Sequence, residues 1–187
     1  MAGVAERAHP EHPGFAPGTI YRRFFEERYR WAAKQCLPGR TLDAPCGCGW
    51  GTSFLPPPAQ GVDISSSAID YAQAHFPGEF IVGDMLSLPF EDSQFQNVVC
   101  LEGLEHVVRA DAEAFLVEAR RVTAERGLLI ATVPLEKRQP VANPHHLERY
   151  DFAGAISLFE PCWKVTEYFS KPVAGIPILW VVATRGA

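Results

Sequence analysis

Short apolar runs alternate with amphipathic stretches through the middle of the chain. The apolar runs predict five strands, at Arg40 to Pro45, Gln60 to Ile64, Glu79 to Val82, Asn97 to Leu101 and Leu128 to Val133. Between them, apolar side chains recur at helical spacing, which predicts helices over Ser65 to His75 and Asp111 to Thr123. Strands that alternate with helices are typical of a parallel sheet covered on both faces.

The segment before the first strand predicts a long helix. Over Tyr21 to Cys36 apolar side chains again recur at helical spacing, and Pro38 ends the pattern. Residues 1–18 are instead rich in Pro, Gly, His and Ala, and we expect them to form a flexible segment. We therefore expect a single folded domain over residues 19–187.

The last part of the chain departs from this alternation. Phe152 to Phe159 predicts a short helix, and Trp163 to Phe169 and Ile178 to Thr184 predict two strands. The proline-containing loop between these strands is too short for a crossover helix. These two strands should therefore be antiparallel neighbours.

The composition is that of an ordinary globular domain. Of the 187 residues, 47% are hydrophobic and 21% are charged, and the formal net charge is −5. This acidic balance argues against nucleic acid as a partner, because phosphate contacts need basic side chains. Glutamates are interleaved with the four arginines of the first helix, which indicates a solvated helix face; the four are Arg22, Arg23, Arg28 and Arg30.

The sequence also predicts the compartment. No apolar run approaches the roughly 20 residues that span a bilayer, and no secretory signal pattern is recognised. We therefore expect a soluble cytoplasmic protein without a membrane partner. Cys46 and Cys48 are spaced C-x-C, and no second pair completes a zinc site. We interpret the cysteines as small packed residues of a reduced protein rather than as metal ligands.

A glycine-rich turn follows the first predicted strand. Gly47, Gly49 and Gly51 lie in this turn, where glycine lets the backbone turn tightly and lets a ligand approach closely. In a parallel α/β sheet, ligands bind at the carboxyl ends of the strands, which is where this turn lies. Glycines at this spacing are also compatible with a purely structural turn.

Three aspartates follow three successive strands. Asp63 is at the end of the second, where a carboxylate can accept hydrogen bonds from the two hydroxyls of a ribose. Asp84 follows the third strand, where it can accept from an adenine amino group, and Asp43 is at the end of the first. Any one of them could simply cap a turn, but three at one edge of the sheet favour a ligand site.

The residues after the glycine turn discriminate between two kinds of cofactor. A dinucleotide needs a helix N-terminus and backbone amides directed at its pyrophosphate. Pro56, Pro57 and Pro58 limit any helix here to about one turn. A short helix beside carboxylates therefore favours a cationic amino-acid nucleoside over two phosphates.

Four of these segments resemble sequence motifs of class I S-adenosylmethionine-dependent methyltransferases. They are Leu42 to Gly49, Gly61 to Ser65, Gly83 to Met85 and Val98 to Glu102. The resemblance extends over nearly the whole chain. It implies a Rossmann-like three-layer α/β sandwich with a mostly parallel seven-stranded sheet, an antiparallel last strand, and S-adenosylmethionine as the cofactor.

The resemblance also implies a role for each matching residue. Asp43, Ala44, Pro45, Gly47 and Gly49 would hold the methionine part of the cofactor, and Asp63 would hold the ribose. Ile64, Asp84 and Met85 would frame the adenine, Leu101 and Glu102 would line the floor, and Tyr21 would belong to a cover. The family often has glycine where this chain has Pro45, and proline removes one N–H donor there.

Three histidines are candidates for work on the methyl acceptor. Transfer from a sulfonium needs a base only when the acceptor loses a proton, as a hydroxyl does. His106 follows the fourth strand, where it could also simply pack the start of a helix, and His145 and His146 lie in a polar loop. Similar His-His-x-x-x-Tyr segments occur in small-molecule and sugar-modifying members of the family. A metal bridging His145 and His146 with an acid is an alternative, but we expect no metal.

The leading hypothesis is methyl transfer to a small-molecule acceptor, with a hydroxyl oxygen favoured. A non-catalytic S-adenosylmethionine-binding regulator is an alternative, against which the three histidines count. The prolines after the glycine turn count against a dinucleotide-dependent oxidoreductase. No Asn/Asp-Pro-Pro-Tyr/Phe stretch follows the fourth strand, which further lowers the case for a nucleic-acid substrate. The sequence does not fix the oligomeric state.

Overall fold

Seven strands form one mixed sheet at the centre of the molecule. A computed structural model describes residues 11, 15–135, 145–173 and 175–186. The strands are β1 (Thr41–Asp43), β2 (Ala59–Asp63), β3 (Glu79–Val82), β4 (Phe95–Leu101), β5 (Thr123–Pro134), β6 (Lys164–Val173) and β7 (Ile176–Thr184). They are arranged in the order β3-β2-β1-β4-β5-β7-β6. Neighbours from β3 to β5 are parallel, and β7 is antiparallel to both β5 and β6. The predicted Rossmann-like sheet with one reversed strand is therefore confirmed.

Among the described residues, helices and short 3-10 turns accompany the sheet. The helices are α1 (Ile20–Gln35), α2 (Ser66–His75), α3 (Arg109–Val122) and α4 (Phe152–Phe159), and the 3-10 turns are Thr52–Phe54 and Leu104–His106. The side chains of Thr19, Ser65 and Asp151 accept backbone N–H groups at the starts of α1, α2 and α4, as N-cap residues commonly do. Among the described helices, none is long and apolar enough to cross a membrane.

The C-terminal hairpin is longer than the sequence pattern indicated. Pro172 and Pro177, which were expected in the connecting loop, are paired opposite each other in β6 and β7. Pro172 is tolerated because β6 is an edge strand, where a missing N–H donor interrupts no neighbour on the outer side. Pro177 is tolerated because β7 pairs with β5 only from Ile178 onward. The antiparallel relation that the short connection predicted is confirmed.

Both faces of the sheet are covered. On one face, α3 and α4 bury an extensive core, whose largest members include Leu42, Phe95, Phe115, Leu116, Leu129 and Phe159. On the other face, α1 places Tyr29 and Ala32 against Val99, Leu101 and Ile130 of the central strands. The functional loops at the carboxyl ends of these strands therefore rest on a rigid, fully packed scaffold.

The N-terminal segment is packed at one described residue. Phe15 is 0% exposed, and its ring lies 4.8 Å from that of Trp50 and 5.5 Å from that of Phe25, centroid to centroid. The packed part of the chain thus includes Phe15, which precedes the predicted domain start at residue 19. Residues 1–10 and 12–14 of the expected flexible segment lie outside the described residues.

Candidate active site

The sheet topology brings the predicted acids to a single edge. Asp43 and Asp63 end the parallel neighbours β1 and β2, Asp84 follows β3, and Glu102 follows β4. Because β3, β2, β1 and β4 are adjacent in that order, the four side chains occupy successive positions along the carboxyl edge. This is the edge at which open α/β sheets bind ligands.

The glycine-rich turn is held between two strands. The N–H of Ala44 donates to Val99 O of β4 at 2.9 Å, and the N–H of Cys46 donates to Val62 O of β2 at 2.9 Å. Pro45 lies between these two donors, so its missing N–H leaves the attachment to both strands intact. Gly47 and Gly49 then take left-handed backbone angles, with φ of +54° and +77°, which glycine adopts without a Cβ penalty.

Gly51 lies against the ring of Tyr29 from α1. A Cβ atom at Gly51 would lie 2.1 Å from Cε2 and Cζ of Tyr29. We expect Gly51→Ala to lower the free energy of unfolding by about 1–3 kcal/mol, because the added methyl group must push α1 away from the turn. Urea unfolding followed by circular dichroism measures this loss.

A second variant tests whether the steric cause is correct. In a Tyr29→Ala background the ring is absent, so adding Gly51→Ala should cost much less than it does in the wild type. An equal cost in both backgrounds would show that the defect at Gly51 does not come from contact with α1.

Asp63 joins the glycine turn to the start of α2. It is 4% exposed; Oδ2 accepts the N–H of Gly47 at 2.9 Å, and Oδ1 accepts the N–H of Ser65 at 2.9 Å. A carboxylate has about four acceptor positions, so one carboxylate can serve both backbone and ligand donors. This arrangement is compatible with the predicted ribose contact.

The side chain of Asp43 forms hydrogen bonds with other residues of the protein. It is 0% exposed, and it accepts from the hydroxyl of Thr52 at 2.6 Å and from that of Tyr29 at 3.3 Å. These bonds join β1 to the turn after it and to α1. Asp43 therefore positions the parts around the predicted methionine site, and its direct contact with the cofactor stays a prediction.

The buried carboxyl of Asp43 predicts a pH-dependent stability. Burial, more than any other cause, raises its pKa from 3.8 to about 7, while the hydrogen bonds from Thr52 and Tyr29 act in the opposite direction. The neutral acid is therefore favoured in the folded state. The contribution of the Asp43 carboxyl to the free energy of unfolding is fully present below about pH 4. It is lost as the pH rises to about 7, and the loss is at most about 1.4 kcal/mol per pH unit.

Asp43→Asn should remove this dependence, because the amide does not ionise. Relative to the wild type, the variant should gain free energy of unfolding as the pH rises from about 4 to about 7, and then stay level. Urea unfolding of both proteins at several pH values measures the difference. Parallel stability curves across this range would refute the raised pKa.

The residues expected around an adenine form an exposed shelf. Ile64 is 67% exposed although it directly follows β2, and Met85 is half-buried against the core. Asp84 is exposed and accepts the N–H of Leu86 at 2.9 Å. An exposed isoleucine beside a carboxylate offers an apolar surface and an acceptor, which suits a purine with an exocyclic amino group.

An aromatic cluster covers the glycine turn from the side of α1; it consists of Phe15, Tyr21, Phe25, Trp50 and Phe54. Tyr21 is half-exposed at its rim, 5.1 Å from Phe25 between ring centroids. The guanidinium of Arg22 lies 5.2 Å from the centre of the Trp50 ring. The predicted placement of Tyr21 in a cover remains a prediction, and the cluster around it is consistent with one.

Arg28 corrects the expectation of a solvated arginine face. It is 5% exposed, its guanidinium lies 4.6 Å from the centre of the Phe25 ring, and its Nη1 is 3.7 Å from Oε2 of Glu102. The carboxylate after β4 offsets part of the cost of burying this positive charge. Glu102 and the largely buried Leu101 thus lie under α1, at the floor of the edge.

A second polar group lies on the 3-10 turn after β4. Glu105 is 1% exposed, and Oε1 of its carboxylate is 4.0 Å from Nε2 of His106. The rings of His106 and His146 meet edge to face with centroids 5.0 Å apart. The structure thus brings together two of the three predicted histidines with a glutamate that the sequence analysis did not select.

His145 takes a different place from its neighbour. Its side chain is exposed, and its backbone oxygen accepts from Nδ1 of His106 at 3.3 Å. Backbone N–H groups of Leu147 and Glu148 donate to Glu105 O at 2.9 and 3.2 Å. The loop that carries the histidines is therefore fixed to the turn after β4 by backbone contacts.

Gly103 lies between the glycine turn and the 3-10 turn that carries Glu105 and His106. A Cβ atom there would lie 2.7 Å from Cδ of Pro45, so the backbone before Glu105 packs directly on the glycine turn. Only a residue without a side chain fits this contact. The Glu105, His106 and His146 group therefore adjoins the acids of the carboxyl edge.

The cysteines take the structural place that was predicted for them. All five described thiols are free, and Cys46, Cys48 and Cys100 are buried. Burial raises the pKa of the Cys46 and Cys100 thiols well above the ordinary range, which makes them poor ligands and nucleophiles at neutral pH. Among the described residues, no cysteine belongs to a cluster with metal-binding geometry.

Comparison with known families identifies this arrangement. Residues 42–131 match the family model of a methyltransferase domain, a span that runs from β1 into β5 and contains the whole acidic edge. Over these residues, about half of its length, the chain is similar to S-adenosylmethionine-dependent methyltransferases. The match includes Glu105 and His106 and ends before the loop that carries His146.

Individual methyltransferases are similar to different parts of this chain. A "probable S-adenosylmethionine-dependent methyltransferase" of Mycolicibacterium smegmatis is 27% identical over 79% of this chain and 60% of its own length. A fatty-acid O-methyltransferase of the same species is 34% identical over 50% of this chain and 36% of its own length. The chain thus spans 60% or less of the length of these two relatives.

One solved structure matches nearly the whole methyltransferase fold. It is the N-methyltransferase NodS of Bradyrhizobium japonicum in complex with S-adenosylhomocysteine, with a TM-score of 0.74 and 14% sequence identity. The match covers 96% of this chain and 94% of NodS. It supports the seven-stranded fold, including the region after β5 that the family match leaves out.

Proposed function

We propose that this methyltransferase domain transfers a methyl group from S-adenosylmethionine to a hydroxyl oxygen of a small-molecule acceptor. The observation that carries this proposal is the buried Glu105 beside His106 and His146, next to the glycine turn. Together these residues could accept the proton that a hydroxyl loses. An acceptor that keeps its protons would have no use for such a group.

The acidic edge is chemically suited to the cofactor. Asp63, at the end of β2, supplies a carboxylate for the two ribose hydroxyls, and Ile64 with Asp84 offers an apolar surface and an acceptor for adenine. The carboxylates along the edge also favour a ligand that carries positive charge. When bound, the cofactor supplies an electrophilic methyl carbon on a sulfonium.

The protein's own contribution is alignment and proton removal. Packing of Gly103 on Pro45 fixes the distance between the cofactor turn and the histidine pair. Holding the acceptor oxygen in line with the methyl carbon supplies much of the rate. His106 and His146 would take the hydroxyl proton, and Glu105 would stabilise a protonated imidazole.

Two observations favour a small-molecule acceptor: the net charge of the chain and the name of one related protein. The net charge of −5 weighs against a nucleic acid as the acceptor. A related protein named as a fatty-acid O-methyltransferase uses a small molecule and an oxygen acceptor. Since NodS is named as an N-methyltransferase, the fold by itself does not select the acceptor atom.

Isothermal titration with S-adenosylhomocysteine, followed by turnover on a panel of hydroxylated and amino acceptors, tests the proposal. Micromolar or tighter binding together with methylation of hydroxyl compounds is expected. Binding without turnover on any acceptor would favour the non-catalytic regulator. Turnover confined to amines would overturn the oxygen assignment, and no binding would overturn the proposal as a whole.

A further inference from the structure

The histidine pair and Glu105 are arranged like a set of metal ligands. One ligand atom from each of Glu105, His106 and His146 lies within 4.8 Å of the other two. The three side chains come from two separate segments, the 3-10 turn after β4 and the loop after β5. The carboxylate of Glu105 is 1% exposed, so a ligand group from this side chain would lie in a largely dehydrated position.

The orientation of His106 strengthens this interpretation. Its Nδ1 faces the backbone oxygen of His145 at 3.3 Å, and a carbonyl oxygen can only accept, so Nδ1 must carry the proton. In the neutral ring, Nε2 then presents a lone pair toward Oε1 of Glu105, 4.0 Å away. A metal ion placed between these two atoms would be bound by both. A backbone carbonyl that orients a histidine in this way is typical of metal sites.

We propose that Glu105, His106 and His146 bind a divalent transition-metal ion at the acceptor side of the site. Metal–nitrogen and metal–oxygen bonds of about 2.0–2.2 Å require ligand atoms roughly 3–3.5 Å apart. The partly exposed rings of His106 and His146 can close the remaining distance by small rotations. One carboxylate and two imidazoles suit Zn²⁺, Fe²⁺ or Mn²⁺, and three protein ligands leave coordination positions open.

This site differs from the one that the sequence suggested as an alternative. That alternative used the adjacent His145 and His146, but the side chain of His145 is exposed and outside the cluster. In the site proposed here, His106 takes the place that His145 had in that alternative. The proposal also departs from the expectation that no metal is bound. Glu102 also lies outside it, since its carboxylate pairs with Arg28.

The inference rests on the proposed function for its chemical purpose. An open position on the ion would bind the acceptor's hydroxyl oxygen and lower the pKa of that hydroxyl, as metals do for bound water. With the ion bound, His106 and His146 are ligands instead of bases, and the hydroxyl proton passes to solvent water. The acceptor would then be a compound whose hydroxyl can coordinate a metal. The ion would hold this oxygen beside the glycine turn.

Binding of Mn²⁺ to the whole chain provides the test. Mn²⁺ is chosen because thiolates compete poorly for it, and electron paramagnetic resonance counts the free ion directly. Glu105→Gln and His146→Ala are expected to weaken binding at least about tenfold relative to the wild type. His145→Ala is the matched control, since it removes a neighbouring imidazole outside the cluster, and it should bind like the wild type.

Three results would overturn the metal site. They are no Mn²⁺ binding by the wild type at millimolar concentration, equal binding in Glu105→Gln, and equal loss in His145→Ala. Thermal unfolding of each variant confirms that it is folded, and Glu105→Gln preserves the shape of the buried side chain. Titration with S-adenosylhomocysteine in EDTA separates the two proposals, because cofactor binding at the acidic edge does not need the ion.

Discussion

Replacing His146 with alanine is expected to lower turnover by at least about 100-fold, the usual contribution of a positioned acid or base. His146 lies edge to face with His106 and beside the buried Glu105, and it adjoins the glycine turn without belonging to it. Affinity for S-adenosylhomocysteine should therefore stay within about threefold of the wild type, a change of under 1 kcal/mol. Steady-state kinetics on the preferred acceptor and isothermal titration measure the two quantities.

His145→Ala is the comparison for this variant. The exposed side chain of His145 is outside the cluster, and only its backbone oxygen contacts His106, so its removal should change turnover far less. If His146→Ala reduced turnover and cofactor affinity equally, His146 would be a structural residue. If the two alanine variants behaved alike, the loop would act as a whole and the pairing with His106 would not matter.

Asp63→Ala is expected to raise the dissociation constant of S-adenosylhomocysteine by about 10- to 100-fold. Loss of the carboxylate leaves the ribose hydroxyls without acceptors, at a cost of roughly 1–3 kcal/mol. The same change frees the N–H groups of Gly47 and Ser65, which loosens the turn that receives the cofactor. Isothermal titration measures the affinity directly.

Asp63→Asn separates these two contributions. Asparagine keeps one acceptor oxygen, so it can satisfy either Gly47 or Ser65 but cannot accept from both while binding the ribose. Its affinity should lie between those of the wild type and Asp63→Ala. Unchanged affinity in Asp63→Ala would refute the ribose assignment.

Local pattern was sufficient for most of the sheet. β3 and α4 lie at the predicted residues, Glu79–Val82 and Phe152–Phe159, because each is a short apolar run with clear boundaries. β1 ends at Asp43, earlier than predicted, since Ala44 and Cys46 hydrogen-bond to different neighbouring strands. β5 begins at Thr123, earlier than predicted, through an irregular pairing with Phe95. The end of a strand depends on which neighbouring strand its backbone pairs with, and that pairing cannot be read from the local sequence.

The site was only partly predictable for a similar reason. The aspartates and glycines were found because parallel strands bring their carboxyl ends to one edge, whatever the details of packing. Glu105 and Arg28 were missed as site residues, since charged side chains in polar stretches usually face solvent. Their burial comes from contacts distant in sequence, with the loop after β5 and with Glu102. The adjacent histidine and glutamate were the local signal for this group, and their partner His146 lies far along the chain.

The position of β7 has a consequence for how the chain is made. β7 lies between β5 and β6, although it follows both in the chain. On the ribosome, the outer edge of β5 therefore lacks its permanent neighbour until β7 has emerged. At roughly 5–20 residues per second, synthesis of the stretch between Pro134 and Ile176 takes several seconds. During that interval the nascent domain presents an open apolar strand, so association between polysome-bound chains is a greater hazard for this protein than association of the finished fold.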